Sequence, residues 1–279
     1  MEKFEFKLEG PIFREGVPIH IIIKAWENFQ SIIDKTYLVA TESNRITAKD
    51  RERYYLQAKE FKRSSFLTNF EIILAGVQLT LPIVGPLGPQ NIWEFTKETF
   101  NFLKLICSGS SGDNSPEIEV KDSQHVSVHI GDTYQHFYGP IIPIAEKALP
   151  KYQDLAHMIE AGKLETISAG SLEKPEINLK PEDRTLFDLP TFIDKDPTEV
   201  KCEIFDFNKF NNVGKMRVAS GQPIPSGDYS FSIFGSQDNI DYIYSMLKPL
   251  VTIKCLVEKA KSPLGPELIS HLHVTGLGS

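Results

Sequence analysis

The feature that most constrains this chain is a set of short alternating segments near its C-terminal end. Val200, Cys202 and Ile204 alternate with charged residues, Tyr229, Phe231 and Ile233 alternate with serines, and Val251, Ile253, Cys255 and Val257 recur at the same period of two. A period of two puts apolar side chains on one face and predicts half-buried strands. Residues 215–219 read as another strand, and Leu268, Leu272 and Val274 as the last. Turn-rich stretches at 221–227 and 262–266 separate them. Between the third and fourth strands Ser236 is placed to cap a short helix whose inner face would be Ile240, Ile243 and Leu247. The order β-β-β-α-β-β is that of a small five-stranded barrel, OB-like, with an SH3-like barrel as the competing closure.

The preceding sequence mixes helix and strand patterns. Phe4, Phe6 and Leu8 share one face of a first strand, with Lys3, Glu5 and Lys7 on the other. Pro18 opens a helix carrying Ile19, Ile22, Ile23, Trp26, Phe29, Ile33 and Tyr37 at core-facing spacing. A charged helix is expected over 47–63 and a buried strand over 72–81. Another helix starts at Gln90 or Asn91, runs through Trp93, Phe100, Leu103 and Ile106, and ends at Gly109. A small-residue linker over 108–116 precedes a hairpin of 117–121 with 126–130, a helix over 141–161 and a strand over 164–168. Residues 170–197 are rich in proline and acidic residues and mark a boundary. The expectation is an α+β chain in three segments: an N-terminal α+β domain over 1–115, a hairpin-helix connection over 116–197, and the barrel over 198–279.

Composition narrows the class. Of 279 residues 41% are hydrophobic and 24% charged, which suits a packed globular protein. A net charge of −7 argues against whole-protein affinity for a phosphate backbone. Cys107, Cys202 and Cys255 are odd in number and widely spaced, so free thiols of a reducing, cytoplasmic setting are expected. The uncharged stretch 72–93 is broken by Gly76, Pro82, Gly85, Pro86, Gly88 and Pro89, which opposes a membrane-spanning helix. A membrane-inserting hairpin is the alternative for that stretch.

Three constellations could carry chemistry. Asp113 with Glu119 and Lys121, and Asp194 with Glu199 and Lys201, have the acid-and-lysine pattern that metal-dependent nucleases present from a strand. Glu5-Phe6-Lys7 and Glu60-Phe61-Lys62 have the same form, so alternating charge on a wet strand face explains all four. His271 and His273 share a strand face, and so do His125 and His129 with His136 nearby, but no third ligand has a diagnostic zinc spacing. In an OB-type barrel the second and third strands and two loops bind single strands, which points to Lys215, Arg217, Tyr229 and Phe231, with Lys209, Phe210, Lys259 and Lys261 in loops. Basic and acidic residues are close to balanced over this module, which weakens that reading. Phosphate-loop, dinucleotide, serine-hydrolase and zinc-protease motifs are missing, and no cofactor or metal is implied.

The segments FEFKLEG, WEFTKETFNFLKLI, HVSVHIGD, LVTIKCLVE and ELISHLHVTGL, with the small-residue linker between them, resemble an uncharacterised bacterial and prophage protein family. That resemblance covers most of the chain, carries no catalytic residue, and implies a component of a mobile-element or anti-phage (antiviral defence) locus. Together these readings predict a non-enzymatic binding or scaffold protein with a protein partner or a second copy as its ligand. A metal-dependent nuclease and a single-strand-binding barrel are the alternatives.

Overall fold

A computed structural model describes residues 2–14, 16, 18–62, 66–74, 79–81, 85–109, 116–122, 125–171, 174–265 and 267–278. Its contacts group the chain into two units, Met1–Asp188 and Leu189–Ser279. Where three segments were expected, the hairpin, the following helix and the next two strands all join the N-terminal unit.

That unit is built on an antiparallel sheet. Its strands are β1 (Glu2–Glu9), β2 (Tyr54–Lys62) and β3 (Phe66–Leu74), joined by two that come much later in the chain. Helices α1 (Ile19–Ala40) and α2 (Ala48–Arg53) lie between β1 and β2. A short ribbon of β4 (Leu79–Leu81) and β5 (Gly85–Leu87) follows β3, and then α3 (Pro89–Gly109). A meander of β6 (Glu117–Asp122), β7 (His125–Ile130) and β8 (Thr133–Tyr138) leads into α4 (Ile141–His157). The late strands β9 (Thr166–Gly170) and β10 (Pro175–Leu179) complete the sheet in the order β10-β9-β1-β3-β2.

The alternation of β1 explains the core. Phe4, Phe6 and Leu8 are buried, and Phe4 stacks on Trp93 of α3 at 4.3 Å and meets Phe29 of α1 edge-on at 5.7 Å. Aromatic burial of this kind contributes roughly 1.5–3 kcal/mol per side chain. Along α1, Ile22, Phe29, Ile33 and Tyr37 are buried as expected, while Ile19 and Ile23 are exposed.

One expectation fails here. The helix expected over 47–63 stops at Arg53, because Tyr54, Leu56 and Ala58 pair with β3 and Tyr54 stacks on Tyr37 at 3.9 Å. Pairing with β3 overrides the local helical pattern from Tyr54 onward. Of the strand expected over 72–81, Ile72–Leu74 belongs to β3 and Leu79–Leu81 pairs with Gly85–Leu87, while 75–78 lie outside the described residues. The expected hairpin over 117–130 gains a third strand, β8. The middle of the expected linker, 110–115, and the turn at 123–124 lie outside the described residues.

The second unit comprises β11 (Thr191–Ile193), β12 (Thr198–Asn208), β13 (Val213–Val218), β14 (Gly227–Ile233), α5 (Asn239–Ser245), β15 (Val251–Ala260) and β16 (Leu268–Leu277). β12 pairs with β13, β13 with β14, β14 in parallel with β16, β16 with β15, and β15 back with β12. This is a closed five-stranded barrel, 1-2-3-5-4-1 with its helix between the third and fourth strands, the OB-type closure rather than the SH3-like one. β11 pairs with β15 beyond the reach of β12. Val200, Cys202, Ile204, Met216, Phe231, Ile253, Cys255, Leu272 and Val274 fill the interior.

The barrel helix is turned differently from the expectation. Its N-cap is Asp238, which accepts a hydrogen bond from the Ile240 N–H at 2.9 Å, rather than Ser236. Tyr242 and Ser245 are its buried residues, and Ile240, Ile243 and Leu247 are exposed. Among the described residues no helix is long and apolar enough to cross a membrane.

Candidate functional site

The two acid-and-lysine triplets are placed differently. Asp113 and the Lys121 side chain lie outside the described residues, and Glu119 is exposed on β6 opposite Ser127. In the second triplet Glu199 sits opposite Lys254, while the Asp194 N–H donates to the Val257 carbonyl. Those contacts are three residues apart along β15, about 10 Å at strand rise. The Asp194 carboxylate is taken by Lys259 at 2.9 Å, and the Lys201 N–H donates to Gln222 Oε1 at 3.0 Å. Among the described residues no group of three or more His, Cys, Asp or Glu side chains is arranged to hold a metal ion.

The basic and aromatic set on the barrel divides into core and surface. Phe231 is fully buried, and Tyr229 packs against the core with its hydroxyl donating to the Pro225 carbonyl at 2.8 Å. Phe231 therefore presents no ring face to a base. Arg217 donates to both oxygens of Asp228, at 2.7 and 3.1 Å, and its guanidinium lies 5.6 Å over the Phe205 ring. That hydrogen bond holds the Asp228 carboxyl below the usual carboxylate range. Lys215 stands opposite Asp206 and Ser230, Lys259 serves Asp194, and the Lys261 N–H donates to the Pro190 carbonyl at 2.9 Å. In the loop after β12, Lys209 lies 5.3 Å over Phe210, whose side chain is 89% exposed.

The histidine pair of β16 is part of a larger cluster. His271 Nε2 lies 3.0 Å from Ser232 Oγ, Ser232 Oγ lies 3.2 Å from His273 Nδ1, and His273 Nε2 lies 2.9 Å from Glu258 Oε2. One proton arrangement satisfies all three contacts. His273 donates to the ionised Glu258, Ser232 donates to His273, and His271 donates to Ser232. The hydrogen bond from His273 is the largest influence holding the Glu258 carboxyl below its ordinary value, and burial pushes the His271 pKa down. A carboxylate-imidazole-hydroxyl chain has the connectivity that activates a nucleophile. Ser232 is the last residue but one of β14, however, with β13 on one side and β16 on the other, so the strand amides around it serve the ladder rather than a developing oxyanion. On the meander, His136 Nδ1 lies 3.0 Å from Ser127 Oγ, and His125 and His129 meet Tyr138 and Tyr134 edge-on.

Sequence reasoning found the two histidines of β16 but not Ser232 or Glu258. The partners are brought in by the parallel β14–β16 pairing and the β15–β16 register, which local spacing does not encode. The three cysteines are buried, and burial raises Cys107 and Cys202 to about 12 and Cys255 to about 11. Neutral thiols of this kind are poor nucleophiles and metal ligands.

The last surface is apolar. Ile240, Ile243, Tyr244 and Leu247 recur along α5 and its following turn at three- and four-residue spacing, and all are exposed, Leu247 to 82%. Met246 and Leu250 adjoin them. Asp241 and Lys248 flank this ridge and line a groove of about 400 Å³ with Tyr244, Thr252 and Leu277.

Fold and surface together define a two-unit α+β protein with an OB-type barrel. Comparison with family models, with curated proteins and with solved structures returned no match.

Proposed function

We propose that this chain is a non-enzymatic binding or scaffold protein that assembles through the apolar ridge of its barrel helix, with a second copy of the chain as the partner. The ridge carries the reading. Soluble domains rarely leave a contiguous apolar stripe of this kind in water unless it docks onto something. A two-fold pairing of α5 with its copy would run the helices antiparallel and bring Asp241 of each protomer toward the Lys248 of the other, so the flank is self-complementary in charge. The resemblance to bacterial and prophage proteins supports a place in a mobile-element or anti-phage locus.

Sedimentation velocity across a concentration series tests the pairing. The expected result is a monomer-dimer equilibrium, weakened at least about tenfold by Leu247→Glu, weakened by Asp241→Lys, and restored when Asp241→Lys is combined with Lys248→Asp. A wild type that stays monomeric throughout, or a dimer indifferent to Leu247→Glu, overturns it.

A second reading rests on Phe210 and Lys209, an exposed ring under a cation in the first barrel loop, where OB-type modules meet single strands. Oligothymidylate binding that falls with salt and with Phe210→Ala supports it, and salt-insensitive binding counts against it. The nuclease reading has less support, since Asp194 is ion-paired with Lys259. Metal-dependent DNA cleavage lost in Lys201→Ala would reinstate it.

A further inference from the structure

The face of the N-terminal sheet turned away from the helices should be an ordinary wet surface, since it carries Lys3, Glu5, Lys7, Asn69 and Glu71. It is not. Glu71 is only 2% exposed, and although its Oε2 accepts from Lys59 Nζ at 3.1 Å, its Oε1 is buried with no hydrogen-bond partner. Glu5 Oε1 is buried and unpartnered in the same way. Register places Lys3 opposite Glu71 and Glu5 opposite Asn69 on neighbouring β1 and β3, so the two carboxylates are diagonal neighbours on one face. A cavity of about 370 Å³ opens here, lined by Lys3, Glu5, Lys59, Asn69, Gly170 and Ser171. That is the size of a small-ligand site.

The charge pattern specifies the ligand. Lys59 is committed to Glu71. Lys3 and Glu5 line the same cavity with no ion-pair partner among the described residues. A buried carboxylate oxygen without a donor is costly and calls for one from outside the sheet. We propose that this cavity binds a small zwitterion of amino-acid size, its ammonium group on Glu5 and its carboxylate on Lys3. Each end of the ligand then meets one unpaired protein charge. This site lies in the first unit and does not depend on the α5 ridge.

Isothermal titration of the full chain with each of the twenty free L-amino acids, with putrescine and with succinate tests the assignment. At least one amino acid binds saturably at millimolar concentration, the diamine binds more weakly and the dicarboxylate does not bind. Glu5→Gln and Lys3→Ala each weaken the amino acid by about tenfold or more with the circular dichroism melt unchanged, while Lys163→Ala leaves affinity unaltered. Lys3→Ala leaves putrescine binding as it was. No saturable heat from any amino acid overturns the site. So does binding indifferent to Glu5→Gln, or putrescine binding tighter than every amino acid.

Discussion

The two units leave opposite things unanswered. On the barrel, several outward charges have partners: Arg217 with Asp228, Lys259 with Asp194, His273 with Glu258. What stands out there as uncovered is apolar, the ridge of Ile240, Ile243, Tyr244 and Leu247. On the N-terminal sheet the apolar face is covered by α1 and α3 through Phe29 and Trp93, and what lacks a partner is polar, the inner oxygens of Glu5 and Glu71. An unanswered apolar stripe asks for a macromolecular surface, whereas unanswered carboxylate oxygens ask for a few donors at defined points. A fold can therefore carry two different binding chemistries, each visible as the term its own unit fails to satisfy.

The largest test of this contrast is whether the barrel is a separate structural unit at all. Phe231 is fully buried where its ring stacks over Phe207 at 6.0 Å and over Tyr242 at 6.1 Å. Phe231→Ala should lower barrel stability by about 3–5 kcal/mol. Hydrogen exchange should then show lost protection over the barrel strands with β1, β3 and α3 unchanged. Equal loss in both units breaks the comparison.

Gly214 sharpens it at smaller scale. A Cβ there would come within 2.3 Å of the Asp206 carbonyl oxygen and 2.6 Å of the Phe231 ring. Gly214→Ala should cost about 1–3 kcal/mol by overpacking, read from denaturant unfolding. Gly221 has a φ of +74° and open space around it, so its substitution acts through backbone strain alone and costs less.

These residues also show how much could be read in advance. The barrel interior was legible because Val200, Cys202 and Ile204 alternate with charged residues and Ile253, Cys255 and Val257 keep the same period of two. Its closure was not, because the parallel pairing of Phe231 with Leu272 joins strands whose local sequences carry no sign of each other. The same pairing sets Ser232 beside His273, and the β15–β16 register brings Glu258, which is why half of that cluster was missed. On α5 the stripe of Ile240, Ile243 and Leu247 was read correctly as a stripe and assigned to the wrong side. Spacing defines a face but not what it faces, and Tyr242, stacked on Phe207 at 5.4 Å and donating to Gln237 Oε1 at 2.5 Å, takes the inner side. The face carrying Glu5 was legible from alternation, while the burial of its carboxylate oxygen follows only from tertiary structure.

Asp238 tests whether the ridge needs the helix that displays it. Asp238→Ala removes the cap on the Ile240 N–H and should cost about 1 kcal/mol. Self-association should weaken with it, by less than in Leu247→Glu. Association unchanged while the helix frays would mean that Leu247 and Leu250, beyond the helix, carry the contact without it.

The smallest expected effect is the pH response of the barrel's histidine cluster, and its sign is informative. Burial holds His271 below the ordinary histidine value of 6.5, with the neighbouring His273 adding to the shift and Glu258 opposing it. The unfolded chain therefore takes up a proton at a higher pH than the folded barrel does. Stability is fully present above that value and declines as pH falls through it. Glu258 acts in the same direction lower down, because its carboxyl is held below 4.5 and its contribution is lost as pH falls through the acid range. Lys3 and Glu5 on the N-terminal sheet face no histidine across β3 or β9, so their cavity should bind its zwitterion with little change between pH 7 and 6. The comparison then becomes a difference measurement. Acidification toward pH 6 should lower the barrel transition slightly, His271→Asn should flatten that slope, and amino-acid binding at the sheet should stay constant. A slope that survives His271→Asn would place the titrating group elsewhere and remove the cluster as its source.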